Sequence, residues 1–167
     1  MFKLSRKGEY AVRTVLHLSM NADKSCTTEE IAKAQDIPLS FLKKIIQVLR
    51  VSGITSSSKG QKGGISLSVP PEKLTVADVI EKIEGPLYLN DCLVKKGACP
   101  RDEVCPVHEM WRTAQSQVLA VWKAHNFKDM ADRQAVLASR FRPVALGPSE
   151  TKKQRSNGRR QNSVING

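Results

Sequence analysis

Residues 37–71 carry Lys43, Lys44, Arg50, Lys59 and Lys62 and no acidic residue. Within this stretch Leu42, Ile45, Ile46 and Leu49 recur at i, i+3, i+4 and i+7, the stripe by which a helix buries one face. Ser40, Lys43, Lys44, Gln47 and Arg50 fall on the opposite face. Two short β-prone runs, 54–58 and 65–69, then flank the turn Gly60-Gln61-Lys62-Gly63-Gly64. A helix with one apolar face leading into a basic hairpin fits few architectures. Taken alone, the lysines could be a solvated face and the glycines an ordinary turn. No Gly-Lys-Ser/Thr follows the glycines, so this is not a phosphate-binding P-loop.

The residues upstream narrow the choice. Ser5 can cap a helix running to about Met20, with Ala11, Val12, Val15, Leu16 and Ser19 along one stripe. Thr27 and Glu30 have the spacing of a capping box and open a short second helix. Asp36-Ile37 makes a tight connection, and Pro38 suits the first turn of the next helix. Three helices followed by a basic hairpin is the order of a winged helix-turn-helix. The expected fold is mainly α with a small β-hairpin wing, and the third helix reads the major groove of DNA. Lys43 and Lys44 suit phosphate or guanine, Gln47 suits adenine edges, and Ser40, Arg50, Lys59 and Lys62 complete the expected DNA-binding set.

The charge agrees. The 167 residues carry a formal net charge of +11, which points to a polyanionic partner. No apolar run is long enough to span a membrane, and the N-terminus turns charged at once, unlike a signal peptide. The expected location is therefore the cytoplasm, where thiols stay reduced. From Arg142 onward the chain adds Lys152, Lys153, Arg155, Arg159 and Arg160 against Glu150 alone. With little to bury, residues 143–167 read as a disordered basic tail.

Thr75 and Asp78 frame a further short helix ended by Gly85, closing a DNA-binding domain over residues 1–85. Residues 86–107 form a looser segment in which Cys92, Cys99 and Cys105 stand at C-x6-C-x5-C, with His108 three residues on. These cysteines sit among Lys, Gly, Pro, Asp and Glu rather than in an apolar run, and thiolates are soft ligands for zinc or iron–sulfur clusters. No pair has the C-x2-C spacing of a zinc knuckle. Cys26 lies outside the motif and reads as a bystander.

A long amphipathic helix should run from Pro106 to Asn126, with Trp111, Ala114, Val118, Val121 and Trp122 on one side. A small domain offers such a helix too little surface, so its expected partner is the same helix of a second subunit. Residues 106–142 thus read as a dimerisation helix and a short return helix. A two-fold dimer suits a palindromic operator in double-stranded DNA. Paired carboxylates, G-x-S-x-G, a nucleotide fingerprint and a C-x2-C redox pair are all missing, which argues against an enzyme.

The segments SRKGEYAVRTVLHLS, IPLSFLKKIIQVLRVSGI and SSKGQKGGISLSVPPEKLTVADVIEKIEG, followed by the three cysteines and the long helix, resemble the Rrf2 family of winged-helix transcription regulators. The resemblance covers roughly residues 2–135. It implies a dimeric repressor with one iron–sulfur cluster per subunit held by Cys92, Cys99 and Cys105, sensing redox state, nitric oxide or iron–sulfur status. Its IscR-like members use a histidine where this chain has His108. Its NsrR-like members use an acidic residue from the partner subunit where this chain has Glu9, with Arg13 one turn later. Both fourth ligands stay open, as does a two-iron or four-iron cluster, and a zinc site or bare-thiol sensor in the same loop is the alternative. The chain departs from the family at Lys59, often arginine, and at Lys43, acidic in IscR-like members. The first gap of six residues departs as well.

Overall fold

The computed structural model describes residues 4–58, 60 and 63–140. The expected basic tail, and Lys59 and Lys62 of the hairpin turn, lie outside the described residues. Among the described residues six α-helices and one hairpin follow in the order α1 (Arg6–Met20), α2 (Thr28–Gln35), α3 (Leu39–Val51), β1 (Thr55–Ser58), β2 (Gly64–Leu67), α4 (Val76–Glu84), α5 (Pro106–Ala124) and α6 (Phe127–Arg140). The architecture is mainly α with a small antiparallel wing. Among the described residues no helix is long and apolar enough to cross a membrane.

Local chemistry sets the helix starts. The Ser5 hydroxyl accepts from the Gly8 N–H at 3.1 Å and opens α1. Thr27 with Glu30, and Thr75 with Asp78, form reciprocal capping boxes on α2 and α4. Pro38 sits at the N-cap of α3 rather than within its first turn. Asp36, with φ of 49°, turns the chain between α2 and α3 in the left-handed conformation that Asp tolerates better than most residues.

The core gathers Leu18, Ile31, Leu42, Ile45, Leu49 and Val79, all essentially inaccessible to solvent. The whole apolar stripe of α3 is buried, as its periodicity predicts. The buried face of α1 is broader than expected. Tyr10, Thr14 and Leu18 join Ala11, Val15 and Ser19 in the interior, while Val12 and Leu16 pack at its margin. Helix α1 touches α3, α4 and α6 together, and so hides more than one stripe. Thr14 satisfies its buried hydroxyl by donating to the Tyr10 carbonyl at 2.7 Å.

The wing pairs Thr55 with Leu67 through to Ser58 with Gly64. Its second strand is also tied to the segment before α2, where Cys26 and Ile65 exchange backbone hydrogen bonds of 2.9 and 2.8 Å. A Cβ on Gly64 would come within 2.9 Å of the Cys26 carbonyl oxygen, so only glycine permits that approach. Helix α5 stops at Ala124, two residues short of the expected end, and α6 folds back onto α1 with Phe127 fully buried.

Candidate nucleic-acid interface and metal centre

Burial of Leu42, Ile45, Ile46 and Leu49 fixes the roll of α3 about its axis. Ser40, Lys43, Lys44, Gln47 and Arg50 are consequently all exposed, on a helix whose first turn holds no acid. Leu39 and Phe41 are exposed beside them, a pair that charge reasoning passed over. The ring of Phe41 meets that of Tyr10 edge to face, with centroids 6.1 Å apart. The first strand of the wing begins shortly after α3 ends and packs against it.

The cysteine segment is held to the long helix by α5 itself. The Leu89 N–H donates to the Gln115 side-chain oxygen at 3.0 Å. Asn90 then accepts from the Asp91 N–H at 2.8 Å and starts a single 3-10 turn, Asp91–Leu93, which carries Cys92. A second such turn, Asp102–Val104, leads to Cys105, and Cys105 forms the N-cap of α5. His108 lies in the first turn of that helix.

Asp102 sits at the centre of this loop. One carboxylate oxygen, Oδ2, accepts from the Gly97 N–H at 2.9 Å. The other, Oδ1, lies 3.4 Å from His108 Nδ1, and the two side chains are only 11% and 15% exposed. Neither of those two atoms has a hydrogen-bond partner. Cys92, Asp102 and His108 line a cleft of about 590 Å³, with Lys95, Lys96 and Arg112 around them. Cys99 opens into a neighbouring cleft of about 400 Å³ that shares the wall of Lys96, Asp102 and Glu103.

Three thiols therefore occupy one neighbourhood, though not one pocket. Desolvation pushes the Cys92 thiol above its ordinary range, helped next by the Asp102 carboxylate. Among the described residues no group of three His, Cys, Asp or Glu side chains is placed to hold a single metal ion. Cys26 is a different kind of cysteine. It is buried in the main core, and desolvation followed by Glu30 raises its thiol as well.

Glu9 lies on α1 and pairs with Arg13 at 3.5 Å, the ordinary i, i+4 bond of a helix surface. Arg13 also donates to the Gln35 carbonyl at the end of α2 and stacks over the Tyr10 ring at 5.9 Å. Both candidate fourth ligands thus have a polar neighbour, but only His108 shares a cleft with one of the three cysteines.

Comparison with known proteins shows the family of the chain. The Rrf2 family model, described as an iron-dependent transcriptional regulator, matches residues 4–133. Over 123 residues the chain is 35% identical to an HTH-type transcriptional regulator of Aquifex aeolicus, spanning 72% of this chain and 85% of that protein. It is 26% identical over 163 residues to the HTH-type transcriptional regulator IscR of Photorhabdus laumondii, spanning 97% and 96% of the two chains. The structure of CymR, the global cysteine regulator of B. subtilis, is similar with a TM-score of 0.67 at 25% identity, covering 80% of this chain and 98% of that one.

Proposed function

This chain belongs to the Rrf2 family of transcriptional regulators, and from that premise we propose that it is a homodimeric repressor of palindromic operators governed by an iron–sulfur cluster on Cys92, Cys99 and Cys105. It is a DNA-binding regulator and not an enzyme. In this reading residues 1–85 bind DNA, 86–107 sense, and 106–142 join the subunits. The exposed face of α3 enters the major groove, with Gln47 toward adenine edges, Lys43 and Lys44 toward phosphate or guanine, and Ser40 and Arg50 toward phosphate. Lys59 and Lys62 bring the wing to the backbone.

The observation that carries the sensing half is the donor set at the start of α5. Three thiols share a neighbourhood with a largely buried imidazole, and the buried polar atoms His108 Nδ1 and Asp102 Oδ1 lack hydrogen-bond partners. The donors fit an iron–sulfur cluster in kind, since thiolate is its usual ligand and imidazole, a harder donor, can replace one thiolate and holds iron less firmly. His108 is the fourth ligand favoured by its shared cleft with Cys92; Glu9 of a partner subunit is the alternative. When bound, the group supplies reactivity toward oxygen or nitric oxide at the corner that cysteine does not hold.

The chain's own contacts give such a site a route to the DNA face. Gln115 and Cys105 fasten the loop to the first half of α5. The other end of α5 is fastened to the DNA-binding domain, where the Val76 N–H donates to the His125 carbonyl at 3.1 Å and the Phe127 N–H to the Leu74 carbonyl at 2.9 Å. A change in the loop therefore reaches the helix through which two subunits would meet, and so the spacing of their two recognition helices.

The likeness to CymR, a cysteine regulator, supports a second reading in which the three thiols act bare. Anaerobic purification separates the two. Iron and sulfide in the protein, with visible absorbance lost in Cys92→Ala, Cys99→Ala and Cys105→Ala but kept in Cys26→Ala, is the expected result. A colourless parent that carries no iron would overturn the cluster and leave the regulator.

A further inference from the structure

We propose that Asp102 is a positioning residue that orients His108, accepting a hydrogen bond from Nδ1–H so that Nε2 is the nitrogen offered to the cysteine site. The inference rests on the reading of His108 as a ligand, but its geometry stands apart from any metal. A carboxylate can only accept hydrogen bonds, while a neutral imidazole carries one N–H and one lone pair. A carboxylate facing Nδ1 therefore puts the proton on Nδ1 and the lone pair on Nε2. Ligating histidines are commonly fixed in this way by an acidic neighbour.

Three observations assign the task to Asp102. The two side chains are nearly enclosed, so water is a poor substitute partner for either. Both facing atoms lack any hydrogen bond, and at 3.4 Å a small reorientation and approach of the pair would form one. Asp102 is itself held in place. Its Oδ2 caps the Gly97 N–H, and its own N–H donates to the Cys99 carbonyl at 3.2 Å. The residue thus links the chain between Cys92 and Cys99 to the first turn of α5, and the orientation of His108 follows the path of that loop. Glu103, Lys95, Lys96 and Arg112 line the same cleft, but only Asp102 stands within ion-pair distance of the imidazole.

The full-length protein, 15N-labelled and free of metal, tests this at a pH where imidazole is neutral. Long-range proton–nitrogen spectra should show His108 as the Nδ1–H tautomer, assigned by its loss in His108→Gln. Asp102→Ala should move the population to Nε2–H. Asp102→Asn keeps an acceptor for Gly97, and so the loop, but turns an amide donor toward Nδ1 and should move the tautomer the same way. After cluster loading, both variants should lose the chromophore to a chelator about 10–100-fold faster than the parent. A parent already in the Nε2–H form, or a tautomer unmoved in both variants, overturns the proposal. A parent that takes up no cluster, yet changes tautomer as described, overturns the cluster reading and leaves the Asp102–His108 pairing standing.

Discussion

The Glu84 carboxylate occupies the space that a side chain on Gly8 would need: a Cβ there would lie 2.2 Å from Glu84 Oε1. The carboxylate is held in place by the Ser5 N–H at 3.2 Å and the Ser5 hydroxyl at 2.5 Å, so the last turn of α4 closes over the first turn of α1. Alanine within a helix is worth about 1 kcal/mol over glycine. At position 8 that gain should be cancelled by displacement of Glu84 from Ser5, whose solvent-exposed bonds contribute about 1 kcal/mol together. Gly8→Ala is therefore expected to be neutral or mildly destabilising in the parent and stabilising in a Glu84→Ala background. Urea denaturation of the four proteins gives the coupling. Equal stabilisation in both backgrounds would show that the two residues do not compete for this space.

That contact was not legible in the sequence, and the reason is general. Caps at Ser5, Thr27 and Thr75 depend on three or four consecutive residues, and each forms as expected. The α3 stripe faces a single interior, so periodicity alone identifies it. Helix α1 is packed on several sides, and burial of Tyr10, Thr14 and Leu18 depends on neighbours far along the chain. The same holds for Phe127, whose place in the core requires α6 to return onto α1. In the cysteine segment the thiols and His108 stood out by residue type. The part played by Asp102 depends on the path of two 3-10 turns that no periodicity announces.

The exposed face of α3 makes a quantitative demand on DNA binding. Lys43→Ala/Lys44→Ala removes two cations from a surface with no acid in its first turn, while the buried stripe is untouched. Fluorescence anisotropy on an operator fragment should show weaker binding. If both lysines meet phosphate, the slope of log K against log salt should flatten by about 1.8. Unchanged affinity with unchanged slope would place the interface elsewhere.

His17 gives the fold a dependence on pH that is independent of the cysteines. It contacts the Gln35 amide at 3.3 Å, and desolvation followed by Lys24 holds its imidazole below the usual range, with Glu30 opposing. The folded value thus lies below the unfolded one, about 6.5, and the unfolded chain binds more protons between the two. The contribution is present in full above the unfolded value and is lost as pH falls toward the folded one. Urea midpoints of the parent should therefore drop more between pH 7.5 and pH 5.5 than those of His17→Gln, to about the extent of the shift. Parallel declines would mean that His17 is not depressed.

Helix α5 has 19 residues, about 28 Å, yet none of them is buried in a single chain. Gln115, Leu119 and Trp122 turn toward α4, where they line a cleft with Ile80 and Tyr88. Val107, Met110 and Val121 remain 53%, 49% and 57% exposed, and with Ala114 their spacing of three, four and seven places them on one stripe. A second copy of the chain can cover that stripe with its own, and on a two-fold axis each residue then meets residues of the same patch. Met110→Glu/Val121→Glu would bring carboxylates together across such a seam, where burial and like charge both oppose association. The fold of one chain should tolerate the change, because neither side chain contributes to its core. Sedimentation velocity at about 10 µM, above which a dimer held by about 7 kcal/mol persists, should show a dimeric parent and a monomeric variant with equal helical content by circular dichroism. A monomeric parent, or a variant still dimeric, would mean that α5 is not the seam between subunits.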